Sequence, residues 1–151
     1  WYTIEKGNIN DDILVVAGDN FFTFDLRDYI AFYNKVKHDT ILVSEMDSLS
    51  DLQRMANAVL SEEGKVLFME EKPQNPKTNI AVFASYIYTK ETVPLIKKYL
   101  DEGNNPDAPG FFPSWLYTKK DVYAYKFQGE CYDIGTPQSY KEVCEKFADA
   151  K

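Results

Sequence analysis

The chain has few cysteines, a single histidine and no long apolar run. Cys131 and Cys144 match no metal-ligand spacing and could form at most one disulfide, so we expect two reduced thiols. His38 has no second histidine as a partner, which favours a surface or helix-end position over a catalytic one. No stretch approaches the ~20 apolar residues of a membrane span, and the first ten residues lack the apolar block of a secretory signal. We therefore expect a cytoplasmic protein without a membrane partner.

Positive charge is also scarce. Lysine and arginine number 17 against 24 aspartates and glutamates, which gives a formal net charge of -7. A field of this sign repels a nucleic-acid backbone, so we expect no nucleic-acid partner. Any phosphate bound by this chain then needs a local lysine, arginine or metal ion.

With 151 residues, 44% of them hydrophobic, the chain is long enough for one sizeable core, and we expect one compact unit.

The apolar segments that are present alternate with helical patterns. "DILVVAG" and "TILVSEM" each suit a strand that is buried on both faces. Between them, Asp25 can cap a helix whose apolar residues recur at helical spacing. Strand, helix and strand in this order predict a βαβ unit.

The rest of the chain continues this alternation of strands and helices. We predict a hairpin turn at Ser61 to Gly64, strands at "NIAVFASYIY" and "DVYAYKF", and helices at "KETVPLIKKYLDEG" and "TPQSYKEVCEKFA". The segment richest in proline and glycine, "EGNNPDAPGFFPSW", is predicted to be a connection that could act as a lid. These elements predict an α/β protein.

Two aspartates stand where predicted strands end. Asp19 follows Gly18 directly after an apolar run, and Asp133 follows a strand and precedes Gly135 and a helix. In open α/β sheets, ligands bind at the carboxyl ends of the strands, and two carboxylates there suit a hard cation such as Mg²⁺. The alternatives are structural: Asp19 could make an Asx-type turn, and Asp133 could cap the helix with the help of Thr136.

A positive group follows in "MEEKP". Glu71 and Lys72 stand directly before Pro73, so we expect extended backbone that points their side chains to opposite faces. Taken alone, a solvated Glu-Lys pair before a turn explains this motif better than a substrate contact does.

Four blocks together resemble a known family. In order and spacing, "DDILVVAGDNFFTFDL", "VLFMEEKPQNPKTNIAVFASYIYTKE", "LDEGNNPDAPGFFPSWL" and "VYAYKFQGECYDIGTPQSYKE" are similar to the later part of the sugar-phosphate nucleotidyltransferases, which include glucose-1-phosphate thymidylyltransferase. The resemblance covers nearly the whole chain. It implies a Rossmann-like nucleotide-diphospho-sugar transferase fold with a mixed, mostly parallel sheet.

The resemblance also implies roles for five residues. Asp19 and Asp133 would hold one Mg²⁺ against the phosphates, and Lys72 would contact the phosphate of a sugar 1-phosphate; these three would be the catalytic residues. Glu71 would hydrogen-bond sugar hydroxyls, and Asn79 would be a further substrate-binding residue. The partners would be an NTP and a sugar 1-phosphate, which yield a nucleotide sugar and pyrophosphate.

The match has gaps. The glycine-rich loop with which the family begins does not occur here, so we expect residues 1–151 to be the sugar- and metal-binding portion of a longer protein, without its first βαβ units and inactive alone. An open sheet edge there would favour self-association into a homo-oligomer. Cys131 stands where many members have tryptophan, Phe83-Ala84 replaces a Thr-Gly pair, and Arg54-Met55-Ala56 replaces an Arg-Tyr-Gly stretch, which leaves the sugar undefined.

Two other functions remain open at the level of sequence. One is a related metal-dependent glycosyltransferase, in which a strand-end aspartate binds the metal of a nucleotide sugar. The other is a non-catalytic domain that binds sugar nucleotides or regulates a partner. "EEKP" and "YDIGTP" favour the nucleotidyltransferase over the glycosyltransferase.

Overall fold

The computed structural model describes residues 1–148 as an α/β fold with eight strands and six helices. The strands are β1 (Ile13–Val16), β2 (Asn20–Phe22), β3 (Asp39–Glu45), β4 (Ala56–Leu60), β5 (Val66–Glu71), β6 (Ile80–Tyr88), β7 (Val122–Lys126) and β8 (Cys131–Asp133). The helices are α1 (Tyr2–Lys6), α2 (Leu26–Val36), α3 (Leu49–Leu52), α4 (Val93–Asp101), α5 (Phe111–Leu116) and α6 (Pro137–Lys146). The last three residues of the predicted 1–151 unit lie outside the described range. No helix within residues 1–148 has the length and apolar character needed to cross a membrane.

The main sheet has six strands and is mixed. Its order is β5-β4-β6-β3-β7. The sixth strand, β1, also pairs with β6, on the same side of β6 as β4. Among the strands of residues 1–148, β3 and β7 are the only parallel neighbours in this sheet, and its other pairs are antiparallel. The predicted α/β fold with a mixed sheet is thus confirmed, but the expectation of a mostly parallel sheet is wrong.

The antiparallel majority has a topological cause. β6 runs antiparallel to both β1 and β3, so the two strands of the predicted βαβ unit are parallel to each other but have β6 between them. The hairpin of β4 and β5 adds a further antiparallel pair, since a tight turn reverses the chain. This turn is at the predicted place: Gly64 donates to the carbonyl of Ser61 over 3.0 Å and has φ +81°.

Helices cover both faces of the sheet. Because side chains alternate along a strand, neighbouring residues of β3 enter different cores. Ile41 packs with Tyr99, Phe112 and Leu116 of α4 and α5 on one face. Leu42 packs on the other face with Tyr29 and Tyr33 of α2. The sheet therefore lies in the middle of three layers.

The boundaries of the three predicted helices follow the predicted signals, and the structure adds three short helices, α1, α3 and α5. Asp25 caps α2 by accepting a hydrogen bond from the backbone N–H of Arg27 at 2.8 Å, and Pro137 occupies the first turn of α6. The proline- and glycine-rich segment contains α5, which we did not expect within a connection. It forms because Phe112 and Leu116, four residues apart, bury one face of this short helix.

A buried carboxylate lies at the amino end of β3 and connects this strand with two other segments of the chain. Asp39 is fully buried, and its oxygens accept hydrogen bonds from the Thr89 N–H and the Thr92 hydroxyl, each at 2.8 Å. Lys120 completes the group with its Nζ 2.9 Å from Asp39 Oδ2. The charge of Asp39 is thus paired and its oxygens are satisfied, as a buried carboxylate requires.

Candidate functional site

A small second sheet brings the two predicted aspartates together. β2 pairs with β8 in antiparallel register, with Asn20 opposite Asp133. The N–H of Ile134 donates to the carbonyl of Asp19 over 2.7 Å and extends this pairing by one residue. The sequence did not predict the three-residue strand β2. Its pairing nevertheless places Asp19 and Asp133 at the same edge.

Gly135 shows how closely the two carboxylates approach. A Cβ added at Gly135 would lie 2.9 Å from Asp133 Oδ1 and 3.0 Å from Asp19 Oδ2. One point next to the backbone is thus within contact distance of an oxygen from each side chain. The N–H of Gly135 donates to Asp133 Oδ1 at 2.8 Å and fixes that oxygen in place.

Neither structural alternative for these aspartates is observed. The N-cap of α6 is Thr136, whose side chain accepts from the Ser139 N–H, and the Ser139 hydroxyl accepts from the Thr136 N–H. Within residues 1–148, the Asp19 carboxylate accepts no hydrogen bond, so it forms no Asx-type turn. Both carboxylates are exposed and available to a ligand.

Both aspartates line a cavity of about 920 Å³ that also contains Glu71 and Lys72. Its floor includes small, apolar and aromatic side chains: Ala17 directly after β1, Ala56 at the start of β4, and Val82, Phe83, Ala84 and Tyr86 within β6. The segment 108–110 and the α6 side chains Thr136, Ser139, Glu142, Val143 and Lys146 form walls. A cavity of this size at strand ends fits a small-molecule ligand.

Asn79 is not among the residues that line this cavity. It is exposed directly before β6, and its carbonyl accepts a hydrogen bond from the Met46 N–H at 2.8 Å. The structure therefore brings four of the five predicted residues together and leaves Asn79 outside the group. Its predicted contact with substrate has no geometric support here.

Glu71 reaches into the cavity beneath a glycine. A Cβ at Gly110 would lie 1.8 Å from Glu71 Oε2 and 2.7 Å from its Cδ, so the carboxylate occupies the space that a side chain would need. Burial raises the pKa of Glu71, and the positive charge of Lys72 partly opposes this increase. Nearby, burial and the charge of Glu71 together raise the pKa of Tyr86. A carboxylate of this kind can accept hydrogen bonds from ligand hydroxyls.

Lys72 departs from the predicted extended backbone. Its φ is +49°, in the left-handed region, although it directly precedes Pro73. Its N–H donates to the Met55 carbonyl over 3.1 Å, one position beyond the paired end of β4 and β5. The chain turns here to leave the sheet, and both Glu71 and Lys72 face the same cavity instead of opposite sides. A left-handed lysine costs backbone energy, which is a feature often found at functional sites.

Three further cavity residues were not predicted as members of the site. Gly110 lies in a segment that the sequence marked only as a connection, and Tyr86 belongs to a strand in which nearly every residue is buried, so alternation does not reveal its direction. Cys131 also lines the cavity, where burial and the charge of Asp133 raise the pKa of its thiol to about 12. The thiol is therefore neutral beside Asn20.

Asp19 and Asp133 form the acidic rim of the cavity, and they could supply some of the oxygen ligands of a hard divalent cation. Residues 1–148 contain no group of three histidine, cysteine, aspartate or glutamate side chains arranged to bind a metal. Asp19 and Asp133 would thus supply two carboxylates, and water or a ligand would supply the remaining oxygens. Mg²⁺ commonly binds through one or two carboxylates plus waters and substrate phosphates, and the residues present fit that donor set.

Comparison with known proteins identifies the family of this site. The family model described as "Nucleotidyl transferase" matches residues 2–150. The chain belongs to the nucleotidyl transferase family. This finding confirms the resemblance that the four sequence blocks predicted.

Curated relatives of this nucleotidyl transferase chain are glucose-1-phosphate adenylyltransferases. The protein from Fervidobacterium nodosum is 33% identical over 135 residues, which cover 87% of the chain and 32% of the relative. The protein from Bacillus subtilis is 31% identical over 138 residues, with 87% and 35% covered. The chain therefore spans about a third of the length of these relatives.

Solved structures share the fold. A protein from Bacillus anthracis described as a glucose-1-phosphate thymidylyltransferase, in complex with sucrose, is 27% identical and superimposes with a TM-score of 0.76 over 98% of this chain and 59% of its own. A UDP-glucose pyrophosphorylase complexed with UDP-glucose gives a TM-score of 0.80 at 24% identity, with 99% and 60% covered, and shows likeness of fold. The nucleotidyl transferase chain thus has the Rossmann-like fold that we expected.

Proposed function

We propose that the protein containing this chain is a sugar-1-phosphate nucleotidyltransferase, and that residues 1–148 form its sugar- and metal-binding portion. The observation that carries the proposal is the convergence of Asp19 and Asp133 at one rim of the cavity that holds Glu71 and Lys72. The family, and relatives named as glucose-1-phosphate adenylyltransferases, support the same reaction.

The reaction would join an NTP to a sugar 1-phosphate. A phosphate oxygen of the sugar 1-phosphate attacks the α-phosphorus of the NTP and forms a new P–O bond. The bond between the α-phosphorus and the bridging oxygen to the β-phosphate breaks, and its electron pair leaves with pyrophosphate. This chemistry needs alignment of the two substrates and neutralisation of phosphate charge.

Glu71 and Lys72 would hold the two ends of the sugar 1-phosphate. The half-buried Glu71 carboxylate accepts hydrogen bonds from sugar hydroxyls, and it has room beside Gly110 because glycine has no Cβ there. Lys72 is exposed at the same wall and presents its ammonium to the phosphate. Because the two residues are consecutive and face one cavity, they can orient a single small ligand.

Asp19 and Asp133 would bind Mg²⁺ from the protein side. The ion, when bound, would neutralise phosphate charge that develops as pyrophosphate leaves. Gly135 keeps the space between the two carboxylates open, since any side chain there would contact both. The Gly135 N–H orients Asp133 Oδ1 toward that space.

The proposal is tested by the release of pyrophosphate. The protein that contains this chain is incubated with Mg²⁺, each of the common NTPs and a panel of sugar 1-phosphates, and pyrophosphate is measured with a coupled assay. We expect release with at least one pair of substrates, and a loss of about a hundredfold or more for Asp133→Asn. Asp101→Asn is the matched control, because Asp101 is an exposed carboxylate that pairs with Lys97 on α4 and lies outside the cavity.

The same assay distinguishes a nucleotidyltransferase from a related glycosyltransferase. Transfer of sugar from a nucleotide sugar to an acceptor, without release of pyrophosphate from any substrate pair, would refute the nucleotidyltransferase. Equal activity of Asp133→Asn and Asp101→Asn would refute the role of the acidic rim.

A further inference from the structure

The cavity contains three cationic side chains, and one of them has no assigned role. Within residues 1–148, the cations that line it are Arg54, Lys72 and Lys146. Lys146 is held by an ion pair of 2.8 Å to Glu130 and by a contact to the Tyr132 hydroxyl. Arg54 is exposed, and the described residues offer its guanidinium neither an ion pair nor a side-chain hydrogen bond.

Strand pairing places Arg54 beside the Glu71–Lys72 wall. Ala56 stands opposite Glu71 in the register of β4 and β5, and the Met55 carbonyl accepts the N–H of Lys72. Arg54 is therefore the next residue along a segment that runs directly against the two predicted ligand-binding residues. Its position is fixed by backbone pairing on one side and by the end of α3 on the other, where its N–H donates to the Asp51 carbonyl over 2.9 Å.

The cavity is lined by more carboxylates than cations, so an arginine without an ion pair there is a candidate for binding an anionic ligand. Five carboxylates line the same space, those of Asp19, Asp51, Glu71, Asp133 and Glu142. These carboxylates repel an anionic ligand, so a cation close to the bound phosphate favours its binding. A guanidinium is planar and can donate two parallel hydrogen bonds to a phosphate, whereas a lysine acts as a compact charge. A phosphate monoester has three terminal oxygens and can contact both groups.

We propose that Arg54 is a second phosphate-binding residue for the sugar 1-phosphate and acts beside Lys72. The inference rests on the proposed function and adds a specific residue to it. Arg54 donates to the terminal oxygens of the phosphate, while Glu71 accepts from the sugar hydroxyls. The guanidinium thereby selects sugar phosphates over neutral sugars.

A protection experiment tests this contact without relying on turnover. The protein that contains this chain is treated with phenylglyoxal, and modification at each arginine is measured by peptide mass spectrometry. The chain has two arginines, and Arg27 is the internal reference, because it pairs with Asp25 on α2 outside the cavity. We expect glucose 1-phosphate to slow modification of Arg54 about tenfold and leave Arg27 unchanged, while glucose protects neither. Equal modification of Arg54 with and without glucose 1-phosphate would overturn the inference.

Kinetics then assigns the contact to one substrate. Arg54→Gln should raise the KM for the sugar 1-phosphate about tenfold, with little change in the KM for the NTP, and Arg54→Lys should give an intermediate value. Arg27→Gln is the matched control. An unchanged KM for the sugar 1-phosphate, or an increase confined to the NTP, would refute the assignment while wild-type pyrophosphate release still supports the proposed function. If the wild-type protein releases no pyrophosphate, the proposed function itself fails.

Discussion

Replacing Gly110 with alanine should displace Glu71 without damaging the fold. The new Cβ would lie 1.8 Å from Glu71 Oε2, whereas ordinary contact begins near 3.4 Å, so the carboxylate must move by roughly 1.6 Å. The backbone itself accepts alanine, since Gly110 has φ -73° and ψ -14°. The atom in the way is the end of a flexible side chain, which can rotate aside at low cost.

The effect on function should be large compared with the effect on stability. A misplacement of about 1 Å in a positioning group can cost about a hundredfold in rate, so we expect Gly110→Ala to lower kcat/KM for the sugar 1-phosphate by about that factor. The midpoint of thermal unfolding should not decrease, because alanine in a permitted conformation restricts the unfolded chain. The assay is the release of pyrophosphate at varied sugar 1-phosphate, beside thermal unfolding of the same preparation.

A double-mutant cycle isolates the cause. If Gly110→Ala acts through Glu71, then Gly110→Ala combined with Glu71→Gln should be no worse than the more damaging single variant. Losses that multiply in the double variant, or a wild-type kcat/KM in Gly110→Ala, would refute the reasoning.

Three other predictions follow from named contacts. Gly135→Ala should weaken Mg²⁺ binding about tenfold in a calorimetric titration, because its Cβ would crowd Asp133 Oδ1 and Asp19 Oδ2; an unchanged affinity would place the ion elsewhere. Burial raises the pKa of Glu71 in the folded state, so the stability gained from its protonation is present below the ordinary glutamate pKa and is lost as the pH rises through the folded pKa. Glu71→Gln should therefore increase the free energy of unfolding in urea near neutral pH, with a gain that shrinks in acid, and a gain independent of pH would contradict this cause. Asp39→Ala should lower the free energy of unfolding by about 3 kcal/mol, since Lys120 and the Thr89 N–H lose a buried partner, whereas Asp121→Asn at the exposed pair with Lys65 should change it little; equal effects in urea unfolding would contradict the difference in burial.

The sequence predicted those parts of the fold that depend on local signals. The cap at Asp25, the turn ending at Gly64 and the helix beginning at Pro137 follow from side-chain chemistry or backbone freedom within a few residues, and each is present. The direction of strand pairing was not predictable in this way. It depends on β6, which enters between β1 and β3 from a distant part of the chain.

The candidate site shows the same division. Asp19 and Asp133 could be selected because each follows a strand, and their approach depends on β2, which is too short to have a clear periodic pattern. Lys72 was predicted to be extended from the general effect of proline on its predecessor, but the bond from its N–H to Met55 holds a left-handed turn. The proximity of Gly110 and Arg54 to Glu71 became visible only when distant segments were placed against Glu71. Local rules do not contain such contacts between segments.

The most direct test of the acidic rim is to locate the ion that it binds. Crystals of the protein containing this chain would be grown with Mn²⁺ in place of Mg²⁺ and with a nucleotide sugar, and an anomalous difference map would identify the metal. The account predicts a peak with both Asp19 and Asp133 at about 2 Å, in the cavity that contains Lys72. A peak that contacts only one of these aspartates, or a metal bound elsewhere while the nucleotide sugar occupies the cavity, would contradict it.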